Sequence, residues 1–227
     1  MCAGILAAAA EQTWRAILSG EAERDPTLLN AFTVLTFADL KKWAFYYWFA
    51  FPALKLPTPA RVLGDPITLT ADASSSSSPY SAAAAARACD DWLAGGGGPA
   101  WLLVIGEGEE EEGGDSASAC ECHPLTRYAE FAAAAKNKRV LLAFADPCAA
   151  ATHPGWALRN LTVMAAVRWR ARNLRVLCAR RPGGRFSADA SLVLDVELSS
   201  YLGVRGGTLW VNSLTAAAAD DGADDES

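Results

Sequence analysis

The chain has 227 residues, 52% hydrophobic and 20% charged, with a formal net charge of −6. Its 47 alanines inflate the first figure; without them the hydrophobic share is about 31%, still enough with the Trp, Phe and Tyr residues to build one core. That balance excludes a disordered or collagen-like chain, and the longest apolar run, Trp43–Leu54, falls short of the roughly 20 residues a membrane-spanning helix needs.

The first residues, Met1 to Leu6, place no basic group ahead of their apolar stretch, which argues against a signal peptide and for a cytoplasmic address. A helix is predicted over 7–18, ended by Ser19-Gly20. Asp25-Pro26 reads as an N-cap followed by a proline at the first helical position. Leu28, Leu29, Phe32, Leu35 and Leu40 recur at near-helical spacing, so this second helix is expected to run toward Lys41-Lys42, with Asp39, Lys41 and Lys42 as its end charges. The aromatic run 45–51 predicts a strand buried on both faces, ended by Pro52, Pro57 and Pro59.

Ser74 to Ser78 and Ala82 to Ala86 are of low complexity and predict a linker over 71–79 leading into an alanine-rich helix that ends near Leu93. Residues 101–105 predict a buried strand, and 106–119 an acidic, glycine-rich linker. Gly106-Glu107-Gly108 has the outline of a nucleotide-binding turn, but the neighbouring glutamates repel phosphate and no GxGxxG or GxxxxGK[ST] occurs. A helix over 125–135, a strand over 139–144 and a helix over 158–169 follow. Two strands, 174–179 and 192–198, are joined through Pro182-Gly183-Gly184 as a hairpin or a bulged connection. The expected architecture is α/β (or α+β): a mixed sheet with flanking helices, one domain over 1–215, low-complexity insertions at 71–79 and 106–119, and a disordered acidic tail over 216–227.

Two acidic blocks, five carboxylates at 107–112 and five at 220–226, outweigh the net −6 and leave the remainder at +4. Residues 159–185 hold eight arginines and no carboxylate, either a nucleic-acid strip or an exposed face that meets an acidic protein partner or a neighbouring element; no helix-turn-helix, RRM or zinc-finger pattern accompanies them, so nucleic acid is not the expected partner. Six cysteines without a secretory signal are expected as thiols. Cys120-x-Cys122-His123 lacks a second ligand pair at zinc spacing, and no metal is expected. Cys148 with His153 is the candidate nucleophile and base of a stand-alone thiol enzyme, an alternative that requires the two side by side.

Two long segments carry a resemblance. One runs from Thr36-Phe37-Ala38-Asp39-Leu40-Lys41-Lys42 through Phe45-Tyr46-Tyr47-Trp48-Phe49-Ala50-Phe51-Pro52-Ala53-Leu54. The other runs from Asp146-Pro147-Cys148 through Pro154-Gly155-Trp156-Ala157-Leu158-Arg159-Asn160-Leu161 to Arg168-Trp169. With Val176-Leu177-Cys178 and 191–194, and with Trp14 to Gly20 upstream, they resemble the N-terminal domain of the autophagy-related protein 7 family, the ubiquitin-like modifier-activating enzymes of autophagy. The resemblance implies a domain that docks the conjugating enzymes (autophagy proteins 3 and 10) so that they accept the modifiers (proteins 8 and 12) in autophagosome formation. It also implies that ATP binding, adenylation and the thioester cysteine belong to a C-terminal domain that nothing here matches. No catalytic residue and no cofactor is therefore expected in this chain, with ATP reserved for that other domain.

Pro154, Gly155, Trp156, Arg159 and Asn160 are the candidate partner-binding residues: a rigid turn, a large aromatic and two polar groups. The structural alternative has Trp156 plugging the core and Arg159 paired internally.

Overall fold

In the computed structural model, which describes residues 2–56, 58–75, 80–106, 119–133 and 138–198, the chain opens with α1 (Cys2–Ser19) and the single turn α2 (Glu21–Arg24). A 3-10 turn, Pro26–Asn30, leads into the hairpin strands β1 (Thr33–Asp39) and β2 (Ala44–Ala50). Then come β3 (Arg61–Thr68), α3 (Leu69–Ala73), α4 (Ala82–Ala94), β4 (Ala100–Gly106), β5 (Cys120–His123), α5 (Tyr128–Ala133) and β6 (Lys138–Ala145). The described part closes with α6 (Leu158–Arg168), β7 (Asn173–Ala179) and β8 (Leu192–Glu197).

Six strands form one mixed sheet in the order β3-β8-β7-β6-β4-β5, in which β6 and β7 are parallel and the other neighbours antiparallel. The mixed sheet with its helices agrees with the expected α/β (or α+β) class. Parallel strands need a crossover connection, and α6 supplies it between β6 and β7. Side chains alternate across each strand, so β4 serves two cores at once. Leu102 and Val104 join Leu142, Phe144, Val176 and Leu194 under α1 and α6, while Trp101, Leu103 and Ile105 join Leu141, Leu177 and Val193 under α3 and α4. Coverage on both faces is why β4 reads as an unbroken apolar run.

Four expectations need correction. The helix expected from Pro26 toward Lys42 is a 3-10 turn followed by β1, because Thr33, Val34, Thr36 and Phe37 favour extended backbone. The cap itself stands, since Asp25 Oδ1 accepts the Thr27 N–H at 3.1 Å. Asp39 closes the hairpin turn instead of a helix, accepting the amides of Lys41 and Lys42 at 3.1 and 3.3 Å. The aromatic run is a strand but not a buried one: among the described residues β2 pairs only with β1, and Phe45, Tyr47 and Phe49 are 56%, 58% and 66% exposed. The linker expected over 71–79 begins inside α3, where Asp72 is fully buried; Arg175, Arg139 at 3.5 Å and the Tyr80 hydroxyl at 2.8 Å converge on its carboxylate.

Gly106, the first residue of the linker expected over 106–119, belongs to β4 and donates its N–H to Ala119 O at 2.9 Å. Residues 107–118 and the tail 216–227 lie outside the described residues. The sequence reading also left three strands out. β1 was hidden by helical spacing, β3 by Gly64 and Pro66 at its bulge, and β5 by its outline as a metal motif.

Candidate partner-docking site

Both apolar runs of the parallel pair end in a charge: Asp146 follows β6 and Arg180 follows β7. Parallel neighbours finish at the same end of the sheet, so the two meet there, 34 residues apart in sequence, with Arg180 Nε donating to Asp146 Oδ2 at 3.2 Å. Each is buried, and a buried ion pair holds only when its remaining valences are met. They are met by the loop between them. Asp146 Oδ1 accepts the amides of Cys148 and Gly155 at 2.9 and 3.0 Å. The guanidinium donates to the carbonyls of Ala150 and His153, each at 2.7 Å. The pair thereby folds residues 147–155 into one conformation.

That loop delivers Gly155-Trp156 to the start of α6. Trp156 is half-buried with its ring 4.2 Å from that of Phe51, and Phe51 lies 5.7 Å from Phe32. Phe32 and Phe51 are 58% and 38% exposed, so an aromatic row leads from the base of the hairpin to the Pro154 turn.

The five candidate residues divide. Asn160 turns inward, fully buried: its Oδ1 accepts the Leu54 N–H at 2.8 Å, and its Nδ2 donates to Leu29 O at 2.8 Å and Pro52 O at 2.9 Å. It fastens two passing segments to α6 and faces no solvent. Arg159, its neighbour, is exposed at the rim of a cleft of about 400 Å³ whose floor is Leu54, Leu56, Thr162 and Val163. Pro154 and Gly155 are half-buried scaffold for Trp156. The exposed face thus combines Phe32, Phe51, Trp156 and Arg159, of which the sequence reading missed the two phenylalanines. Their signal was masked, Phe51 by the aromatic run it closes and Phe32 by the near-helical spacing it shares with Leu28 and Leu29.

A second cleft, about 770 Å³, lies beyond the ends of β6 and β7 and includes Cys148, Arg181 and Asp189. Cys148 and His153 each bond to a near neighbour in the chain. The Cys148 sulfur accepts the Ala150 amide at 3.4 Å, and His153 Nδ1 lies 2.9 Å from Thr152 Oγ1. Cys178 is fully buried, and burial followed by the nearby Asp146 charge raises its thiol pKa. His123 is held away from the sulfurs of Cys120 and Cys122 by Glu121 and Arg127, at 3.1 and 2.8 Å. Among the described residues no cluster of three or more His, Cys, Asp or Glu is placed to hold a metal ion.

The arginine-rich stretch is no continuous strip. Arg168 pairs with Glu23, Arg175 with Asp72 and Asp195, Arg180 with Asp146, and Arg181 with Asp90. Half of the eight arginines are thus matched within the fold. No described helix is long and apolar enough to cross a membrane.

Comparison with known proteins agrees with the arrangement of segments. Residues 3–217 match the family model described as the N-terminus of the ubiquitin-like modifier-activating enzyme ATG7. The mouse enzyme of that name is 35% identical over 198 residues, covering 86% of this chain, and the human enzyme 33% identical over the same length. The chain spans about a quarter of these curated relatives, 27% of the mouse protein and 26% of the human one. Among solved structures, the Kluyveromyces marxianus Atg7NTD–Atg10 complex is similar at 14% identity with a TM-score of 0.43, over 85% of this chain and 57% of that one. With a family model matched from residue 3 to residue 217, the chain belongs to the family of ATG7 N-terminal regions of ubiquitin-like modifier-activating enzymes.

Proposed function

We propose that this chain is the recruiting region of an autophagy modifier-activating enzyme, acting in the cytoplasm. It docks the conjugating enzymes, autophagy proteins 3 and 10, for transfer of the modifiers, proteins 8 and 12. The observation that carries the reading is the family match over residues 3–217. The surface supports it: Phe32, Phe51 and Trp156 form an open aromatic row with Arg159 close by in the chain, and aromatics and arginine dominate interface hot spots. Outside its two acidic blocks the chain carries +4, which favours an acidic docking segment on the partner. We assign ATP, adenylation and the thioester cysteine to the part of the relatives that lies outside the match, so no activity is expected of this chain alone.

Calorimetry with each conjugating enzyme tests the reading. Binding in the micromolar range is expected, and Arg159→Glu should weaken it about tenfold, a loss of about 1.4 kcal/mol. An intact wild-type chain that binds neither enzyme at tens of micromolar would refute it.

A further inference from the structure

The buried face of α4 presents Ala85 and Cys89 to the sheet, with Cys89 fully buried. Beneath it, β5 pairs with β4 in the register Leu103↔Cys122 and Ile105↔Cys120. Leu103 and Ile105 belong to the core under α4, and Cys120 and Cys122 pack against that same core. The strand's alternation sends Glu121 and His123 to the opposite face, where the His123 ring meets Phe131 at 4.6 Å. Cys89 and Cys122 thus face the same core from α4 and β5, and Cys122 perturbs the Cys89 thiol more strongly than Cys120 does. Both are reduced cysteines, one buried and one half-buried at the edge of the sheet.

We propose that Cys89 and Cys122 form a peroxide-sensitive thiol pair that closes to a disulfide between helix α4 and edge strand β5.

The order of events follows from access. Cys122 is the half-buried member on the edge strand, and a small peroxide reaches it. Its thiolate attacks one peroxide oxygen and releases hydroxide, leaving a sulfenic acid. The Cys89 sulfur then attacks the Cys122 sulfur. The sulfenic hydroxyl leaves with the Cys89 proton as water, and the S–S bond forms. Two thiols are oxidised by two electrons and one peroxide is reduced to water. Cys89 does not start the sequence, because the neighbouring Cys122 and complete burial hold it protonated. Cys120 is the wrong partner for Cys122: residues i and i+2 of one strand stand about 6.6 Å apart, beyond the roughly 3.5–4.5 Å that a disulfide allows between β-carbons.

The proposal predicts a defined product. The whole chain is treated with hydrogen peroxide, alkylated, digested without reductant and mapped by mass spectrometry. A peptide joining Cys89 to Cys122, about 2 Da lighter than its parts and released by dithiothreitol, is expected. Cys120→Ala should retain it and Cys122→Ala should abolish it. Because Cys122 is half-buried, Cys122→Ala should keep the fold, which circular dichroism checks. In the wild-type chain the cross-link should raise Tm by about 5–10 °C. Cys89 still fully alkylated after oxidation and denaturation would overturn the proposal, as would Cys122 advancing to the sulfinic acid or a cross-link that survives in Cys122→Ala.

Discussion

Asp146 accepts the Gly155 amide at 3.0 Å through the same oxygen, Oδ1, that a β-carbon on residue 155 would strike. The close approach of backbone to carboxylate is what requires glycine here, independent of any turn preference. Gly155→Ala should therefore push the loop off its anchor and leave Asp146 short of a donor, costing about 1–3 kcal/mol. Urea unfolding measures this. A variant as stable as the wild type would show that the loop has room to shift.

Asn160→Ala removes three hydrogen bonds and strands the amide of Leu54 and the carbonyls of Leu29 and Pro52 inside the protein. Buried groups without partners cost more than the bonds themselves contribute, so a loss of about 2–4 kcal/mol is expected. Hydrogen exchange provides a local check, with protection at Leu54 falling further than protection in β6. Equal loss at both places would point to global unfolding instead of a released segment.

The hairpin leaves Val34, Phe45, Tyr47 and Phe49 on one exposed face. Contiguous apolar surface of this kind binds hydrophobic dyes and promotes association. Phe45→Ser with Phe49→Ser should cut the fluorescence of a bound naphthalene sulfonate by more than about half, while Tm moves by less than about 2 °C because neither ring belongs to a core. A large fall in Tm would mean that the hairpin is packed more firmly than its exposure implies.

Alkali should weaken the fold. The adjacent Cys122 and then burial raise the pKa of Cys89, burial raises that of Cys178, and burial with the neighbouring Cys122 pushes Cys120 up to about 11 from an ordinary 9.0. Between those two values the unfolded chain has released protons that the folded chain still holds. Stability then falls as pH rises, by up to about 1.4 kcal/mol per pH unit for each fully buried thiol. The contribution is intact below about pH 8 and is lost progressively above it. Thermal scans from about pH 7 to pH 10.5 test this, and a flat Tm over that range contradicts it.

The central strands were legible because burial on both faces writes itself as a continuous apolar run, as in 101–105 and 139–144. The same rule failed at 45–51, where an equally apolar run makes an exposed ribbon; composition records how apolar a strand is and not what lies over it. Within the site, the turn at Pro154 was visible as local chemistry. The bond from Arg180 to Asp146 was not, since it arises only once β6 and β7 lie side by side. Asn160 and Arg159 show the same limit at one residue's distance: helical rotation alone decides that one is a buried fastener and the other an exposed cation.

The two rims of the six-stranded sheet have a consequence for how this protein meets other chains. On one side β5 is only four residues long; on the other, β3 carries Pro66 and a break in register between Leu63 and Ile67. Among the described residues neither rim offers a long, regular ladder of unpaired amides, which protects the main sheet against being extended by a foreign strand. The hairpin has no such protection, because β1 and β2 are each seven residues long and, among the described residues, pair only with each other. A chain that adds its backbone to this protein will find its template there.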